Sequence, residues 1–217
     1  MLRYFLIFSL FIISLSASSQ AFLGAAAFGG NLTQVNGDEV YGFKKIGFNL
    51  GISAIMPIYK QRIFSSVEIS FSQKGSYQKY PFEDDPNKSL PYYNLRLNYL
   101  EVPVLIHILD KKVIMAGVGV SYGRLVGLKE IEWGKTMNNA VVGGPYDRDD
   151  WNWLVDVRIP IKNRLKFNFR YAYSIKKIRT RLFTYESGAT ESRDQFNNIL
   201  TFRVVYVFNE KIVPKEY

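Results

Sequence analysis

The sole histidine of this 217-residue chain is His107. A histidine within reach of a hydroxyl nucleophile and an orienting carboxylate would make an acyl hydrolase. No serine flanks His107 in its own segment, and the alternate positions before it are Pro103 and Leu105, so it reads as a structural or rim residue. Glu68 and Glu101 could form a catalytic carboxylate pair. The chain also offers them Arg158, Arg170 and Arg203, and an unpaired buried charge is costly. An interior polar network of Glu68, Glu101, Asp156, Arg158, Arg170 and Arg203 is therefore expected in place of a catalytic pair. The Gly-x-Gly spacing within Gly117 to Gly123 lacks the following helix that a phosphate-binding loop needs. Asp84, Asp85 and Asn87 do not complete a calcium loop. No catalytic residue, cofactor or metal ligand is expected.

The elements that must position these charges are strands. From Leu165 to Ile175 every odd residue is apolar or aromatic, and the even ones are Lys166, Asn168, Arg170, Ala172 and Ser174. That alternation gives a strand one apolar and one polar face. Eight such segments are expected: Phe22–Asn31, Lys45–Ile58, Arg62–Ser76, Tyr93–Leu109, Lys112–Leu128, Asp150–Ile161, Leu165–Ile175 and Phe196–Phe208. In the fourth, Leu95, Leu97 and Tyr99 are apolar in the phase opposite to Leu100, Val102, Val104 and Ile106. This predicts a bulge or a strand end above the membrane.

The connections after the second, fourth and sixth segments are tight, at Tyr59-Lys60-Gln61, Asp110-Lys111 and Lys162-Asn163. The others are long, and they carry Trp133, Tyr80, Phe82, Tyr146, Phe183 and Tyr185 as expected exposed aromatics. Alternating short and long connections suit an up-and-down membrane barrel with short periplasmic turns and longer external loops.

Composition agrees. Aromatics make up 16 % of the chain, there is no cysteine, and the formal charge is +9. The cations are scattered rather than gathered in a stripe, which suits anionic lipid phosphates and argues against nucleic acid. Arg3, the apolar run Tyr4 to Leu15 and the small residues Ala17-Ser18-Ser19 have the order of a secretory leader. Residues 1–19 are thus expected to be a signal peptide, 20–208 the barrel and 209–217 a tail.

Two features turn the apolar rows outward. Glycines 47, 51, 117, 119 and 123 lie on the polar face, where a narrow interior needs room for long charged side chains. Trp151, Trp153, Tyr171, Tyr173 and Tyr206 lie near strand ends in the apolar rows, the placement of an aromatic girdle. The expected fold is all-β: an eight-stranded antiparallel up-and-down transmembrane β-barrel with a filled polar interior. A soluble lipocalin-like carrier is the alternative if the apolar rows point inward.

The run Tyr99-Leu100-Glu101-Val102-Pro103, with Glu68 to Gly75 before it and Ala116 to Val120 after it, resembles the PorT-like outer-membrane β-barrel family of Bacteroidota. The resemblance implies an outer-membrane barrel, and a named member assists assembly of a protein secretion system. The residues from Asn209 to Tyr217 depart from it by running past the terminal aromatic. The function expected is a non-enzymatic envelope barrel working through its external loops or periplasmic rim, with a lipid-modifying enzyme as the alternative. Its expected partners are outer-membrane lipid, lipopolysaccharide and an envelope protein.

Overall fold

The computed structural model describes residues 22–59, 62–79, 92–110, 113–185 and 187–208. The expected leader, the tail, Tyr80, Phe82 and the Asp84–Asn87 cluster lie outside the described residues. The elements are β1 (Leu23–Asn36), β2 (Lys45–Tyr59), β3 (Ile63–Gln78), β4 (Tyr93–Asp110), β5 (Ile114–Glu132), β6 (Lys135–Met137), β7 (Asp149–Lys162), β8 (Leu165–Ser174), β9 (Arg179–Thr184) and β10 (Thr190–Val207). Eight of them pair antiparallel in chain order, and β10 closes on β1 from Ala25↔Val207 to Asn36↔Phe196. The ring is a β-barrel, and closure satisfies the backbone groups that an open edge would leave bare in lipid.

Inward and outward residues alternate along every wall strand. On β4 the outward side chains Leu100, Val102, Val104, Ile106 and Ile108 are exposed, while Leu105 and His107 are fully buried. Eight residue steps of about 3.3 Å, tilted by about 40°, make a band roughly 20 Å tall, close to the apolar height of membrane barrels. Inside, glycine supplies space where large groups cross. A Cβ on Gly117 would meet His107 Cδ2 at 2.4 Å, and one on Gly51 would meet Glu68 Oε1 at 2.8 Å.

Of the two readings of the phase change in the fourth strand, the structure agrees with a strand end beyond the lipid-facing rows, and the bulge lies in the partner strand. The pleat of β4 does not break: Tyr93, Leu95, Leu97 and Tyr99 point inward with Leu105 and His107. What changes is the surroundings. Below Leu100 the outward residues are apolar and the inward ones mixed, with Glu101 and His107 beside Pro103 and Leu105; above it Asn94, Arg96 and Asn98 face out and the inward side chains are all apolar or aromatic. The strand leaves lipid for water, so its hydrophobic side swaps. The register shift lies on the partner strand, where Asn98↔Gly127 is followed by Tyr99↔Leu125 and Val126 is the extra residue.

Three apolar layers divide the interior. Ala25, Ala27, Ile55, Phe64, Met115, Val205 and Val207 fill the short-turn end. Leu105, Leu154, Ala172 and Ile199 cross the middle. Val35, Leu95, Leu97, Tyr99, Leu125 and Ile178 pack beneath the long connections. Two short strands extend the wall beyond the ring, and the sequence pattern did not announce them. β6 folds back on β5, and β9 pairs β10 from Gln195↔Arg179 to Thr190↔Thr184.

The inversion gives a paired expectation for unfolding in lipid vesicles. Val104→Arg, on the lipid face near mid-band, should cost about 2–4 kcal/mol. Arg96→Leu, on the same face above the band, should change stability by no more than about 0.5 kcal/mol.

Candidate functional site: an ion-paired interior beneath a latched rim

Polar side chains gather between the apolar layers in two clusters. In the lower one, Glu68 on β3 lies between two guanidinium groups. Arg170 Nη2 donates to Oε2 at 3.0 Å, and Arg203 Nη1 donates to Oε1 at 2.5 Å. Both arginines reach both oxygens, so one carboxylate receives two forked cations. Asp156 takes the other side of Arg170 through Nε at 2.8 Å and also accepts from Arg158 Nε at 3.0 Å. Asn168 ties the halves together: its Nδ2 donates to Asp156 Oδ2 at 2.9 Å, and its Oδ1 accepts from Arg203 Nε at 2.9 Å.

The register explains why these groups meet. His107, Gly117, Asp156 and Arg170 are successive partners across β4, β5, β7 and β8, so their side chains enter the interior in one row. His107 is therefore no rim residue. It is fully buried, and its Nε2 lies 3.0 Å from Asp156 Oδ1. A histidine–carboxylate pair is two-thirds of a hydrolytic triad. Its Nδ1 has no hydrogen-bond partner among the described residues.

The upper cluster holds Glu101, which the sequence reading placed with the arginines. The structure separates it from them. Lys74 Nζ lies 2.6 Å from Glu101 Oε1 and 2.8 Å from Asp150 Oδ2, and it sits 4.9 Å from the Tyr99 ring centroid. Ser174 Oγ and Asn197 Nδ2 donate to Asp150 at 2.7 and 2.9 Å. Lys74, which the alternation puts on the polar face of the third strand with Glu68, and Asp150, which was not expected in the network, complete it. With them, four cations (Lys74, Arg158, Arg170, Arg203) face four carboxylates (Glu68, Glu101, Asp150, Asp156) across the two clusters.

On the outer wall, Trp151, Trp153 and Tyr206 are exposed, and Tyr171 and Tyr173 are half-buried. Trp153 packs edge-on against Tyr171 at 5.2 Å, Tyr173 stacks on Phe196, and Tyr206 meets Phe208 at the opposite end.

A third constellation closes the long-connection end, and sequence reasoning missed it. Glu130 at the top of β5 is buried. It accepts from Tyr93 Oη at 3.1 Å, Tyr146 Oη at 3.0 Å, Arg179 Nη1 at 3.0 Å and Asn139 Nδ2 at 2.5 Å. One carboxylate thus latches β4, β9 and the β5–β7 connection together. Tyr146, expected to be an exposed loop aromatic, is instead buried beneath Arg179. Burial, then the charge of Glu130, pushes the Tyr146 phenol well above its ordinary value, which keeps it a donor. Trp133 and Gly134, both at positive φ, make the two-residue turn between β5 and β6 and leave the Trp133 side chain 64 % exposed. Phe183 lies half-buried beneath Arg181 and Arg193, and Tyr185 is exposed as expected. Among the described residues no cluster of His, Asp and Glu has the makings of a metal site.

Residues 18–179 match the family model of the outer membrane protein β-barrel domain. No curated protein matches the sequence. Among solved structures the chain is similar to Ail, the attachment invasion locus protein of Yersinia pestis, at 13 % identity and a TM-score of 0.48, with 86 % of this chain and 98 % of Ail covered. It is similar to Neisserial surface protein A at 11 % identity and a TM-score of 0.46, covering 86 % of this chain and 96 % of the other. A major outer membrane protein of Thermus thermophilus is similar at 10 % identity and a TM-score of 0.46, covering 88 % and 100 %. These are likenesses of shape alone.

Removing one partner of the lower cluster strands the others. Glu68→Ala should destabilise the folded barrel by about 3–5 kcal/mol, measured by urea unfolding in vesicles. Glu68→Gln combined with Arg203→Gln should recover part of that loss, as a double-mutant cycle would show. A second expectation concerns Asp38 in the β1–β2 connection, outside the membrane. Burial raises its carboxyl to about 6, against the hydrogen bond it accepts from Val40 N at 2.9 Å. The folded chain then binds the proton more tightly than the unfolded one, so this contribution is largest below pH 4 and is lost as pH rises through 6. Amide exchange in the β1–β2 connection should be slower at pH 5 than at pH 8 after correction for intrinsic rates, and Asp38→Asn should abolish the difference.

Proposed function

We propose that this chain, which belongs to the outer membrane protein β-barrel domain family, works as a closed, non-enzymatic barrel that presents a rigid rim to an envelope protein partner. It resides in the outer membrane, among its lipids and lipopolysaccharide. The observation that carries the reading is the contrast between interior and rim. The lumen is occupied by packed layers and paired charges, which supports neither solute passage nor chemistry on a substrate. The rim is held by Glu130 yet exposes Trp133, with Tyr41 at 79 % and Leu182 at 71 % exposure. Exposed aromatic and aliphatic side chains on a rigid frame are the usual anchors of a protein interface.

The PorT-like reading is a finer version of the same proposal. It rests on the run Tyr99 to Pro103, and it makes the partner a component of protein secretion or assembly. In the structure that run spans the change from apolar to polar interior, since Tyr99 belongs to the upper apolar layer and Glu101 pairs with Lys74.

Photoreactive residues at Trp133 and Leu182 should cross-link one and the same envelope protein in intact cells, and a photoreactive residue at Phe167 on the lipid wall should not. The purified barrel should give no steady conductance in planar bilayers, and a deletion strain should keep its lipid A mass profile. Stable conductance or an altered lipid A profile would refute the proposal.

A further inference from the structure

The outer wall of β4, β5 and β7 is uneven. Toward the long-connection end its paired rows run Val104–Val120–Trp153, then Val102–Tyr122–Trp151, then Leu100–Arg124–Asp149. The valines are short beside the rings, and a groove of about 520 Å³ opens there, lined by Val102, Val104, Val120, Tyr122 and Trp151. Tyr122 and Trp151 pack at 5.0 Å and form one side of it. The depression is shallow and open to the side, and its lining is apolar, so an acyl tail can lie along it.

Polar groups continue upward from the groove mouth. Tyr122 Oη donates to Asp149 Oδ1 at 2.7 Å, and Arg124 pairs with the same carboxylate. Beyond the neutral Asn98–Gly127 pair, Arg96 stands directly opposite Lys129, both exposed and on the outer face. Like charges opposite one another across two strands repel. Among the described residues no carboxylate pairs with either, and an anion seated between them would relieve the repulsion. Arg96 lies six residues above Val102 at the groove mouth, about 20 Å along the strand and, with the strand tilted by about 40°, roughly 15 Å along the barrel axis. That span is more than a glycerol covers and is nearer to a disaccharide than to a single sugar. In membrane barrels the long-loop end faces outward, toward the leaflet that lipopolysaccharide occupies.

We propose that this wall seats one lipid A unit of lipopolysaccharide. An acyl tail lies in the Val102–Val104–Val120 groove, the sugar crosses Tyr122 Oη, Asp149 and Asn98, and a phosphate sits between Arg96 and Lys129. The inference rests on the lipid surroundings proposed above and not on the rim's protein partner, so rim cross-linking is unaffected if it fails. The test uses the barrel in phosphatidylcholine nanodiscs doped with lipid A, or with phosphatidylglycerol in its place. Lipid retained after transfer to mild detergent is counted by native mass spectrometry. The wild-type chain should retain lipid A about tenfold better than phosphatidylglycerol, and the double variant Arg96→Gln, Lys129→Gln should lose about that factor. Val104→Phe with Val120→Phe, which fills the groove while keeping the wall apolar, should lose it too. Heat-modifiable migration on gels verifies folding, and Lys129→Gln alone carries the test if the double variant does not fold. Equal retention of phosphatidylglycerol, or folded variants that hold lipid A like the wild type, would overturn the assignment.

Discussion

Glu68 between Arg170 and Arg203 is the contact on which the barrel interior turns. Ions inside a lipid-embedded ring have no water to return to, so each must be met in place. Two forked guanidinium groups on one carboxylate, with Asp156 taking the other side of Arg170, join β3, β7, β8 and β10 across the lumen. These bonds cross the barrel, whereas backbone ladders only run around it. They resist both flattening of the ring and slippage of register, because a one-residue slip would carry a charge into lipid.

The same chain meets two solvents, and its hydrophobic side changes accordingly. In the band the apolar residues face out; above Leu100 they face in, and the barrel continues as a water-soluble one. Tyr99, Leu97 and Leu95 in the upper part of β4 are a core, while Val104 and Ile106 on the same strand are a lipid surface. The soluble and the membrane readings of the pattern are therefore both present, stacked along one axis. The inverted upper part gives the rim its stiffness, since a packed apolar layer and the Glu130 latch lie beneath the exposed Trp133 and Leu182.

Strand number, order and facing were legible because an alternation of period two survives any tertiary context that keeps one face in lipid. The glycines of the polar face were legible for a related reason: Gly117 and Gly51 lie where His107 and Glu68 need the volume. Partner choice was less so. Glu101 pairs with Lys74 rather than with an arginine, because shear sets which inward residues share a level, and shear is fixed only when β10 closes on β1. Asp150 opens its expected strand in phase with Asn152, so the alternation puts it on the polar face, but its partners Lys74, Ser174 and Asn197 come from strands that only closure brings level. The Glu130 latch was illegible for the same reason. Its partners come from Tyr93, Tyr146 and Arg179, which are distant in sequence and carry no shared period.

Paired charges fill the lumen, and lipid touches the apolar rows. The chain has no cysteine, so single thiols report cleanly on each face. The direct measurement is the reaction of Ser70→Cys and Ile69→Cys with a charged, water-soluble maleimide, on the folded protein in lipid vesicles and again after unfolding. A filled lumen requires both thiols to be silent while folded, with Ile69→Cys open to an apolar reagent from the lipid and Ser70→Cys reacting only on unfolding. Rapid reaction of folded Ser70→Cys with the charged reagent would place water where Glu68, Arg170 and Arg203 are held to meet, and would contradict it.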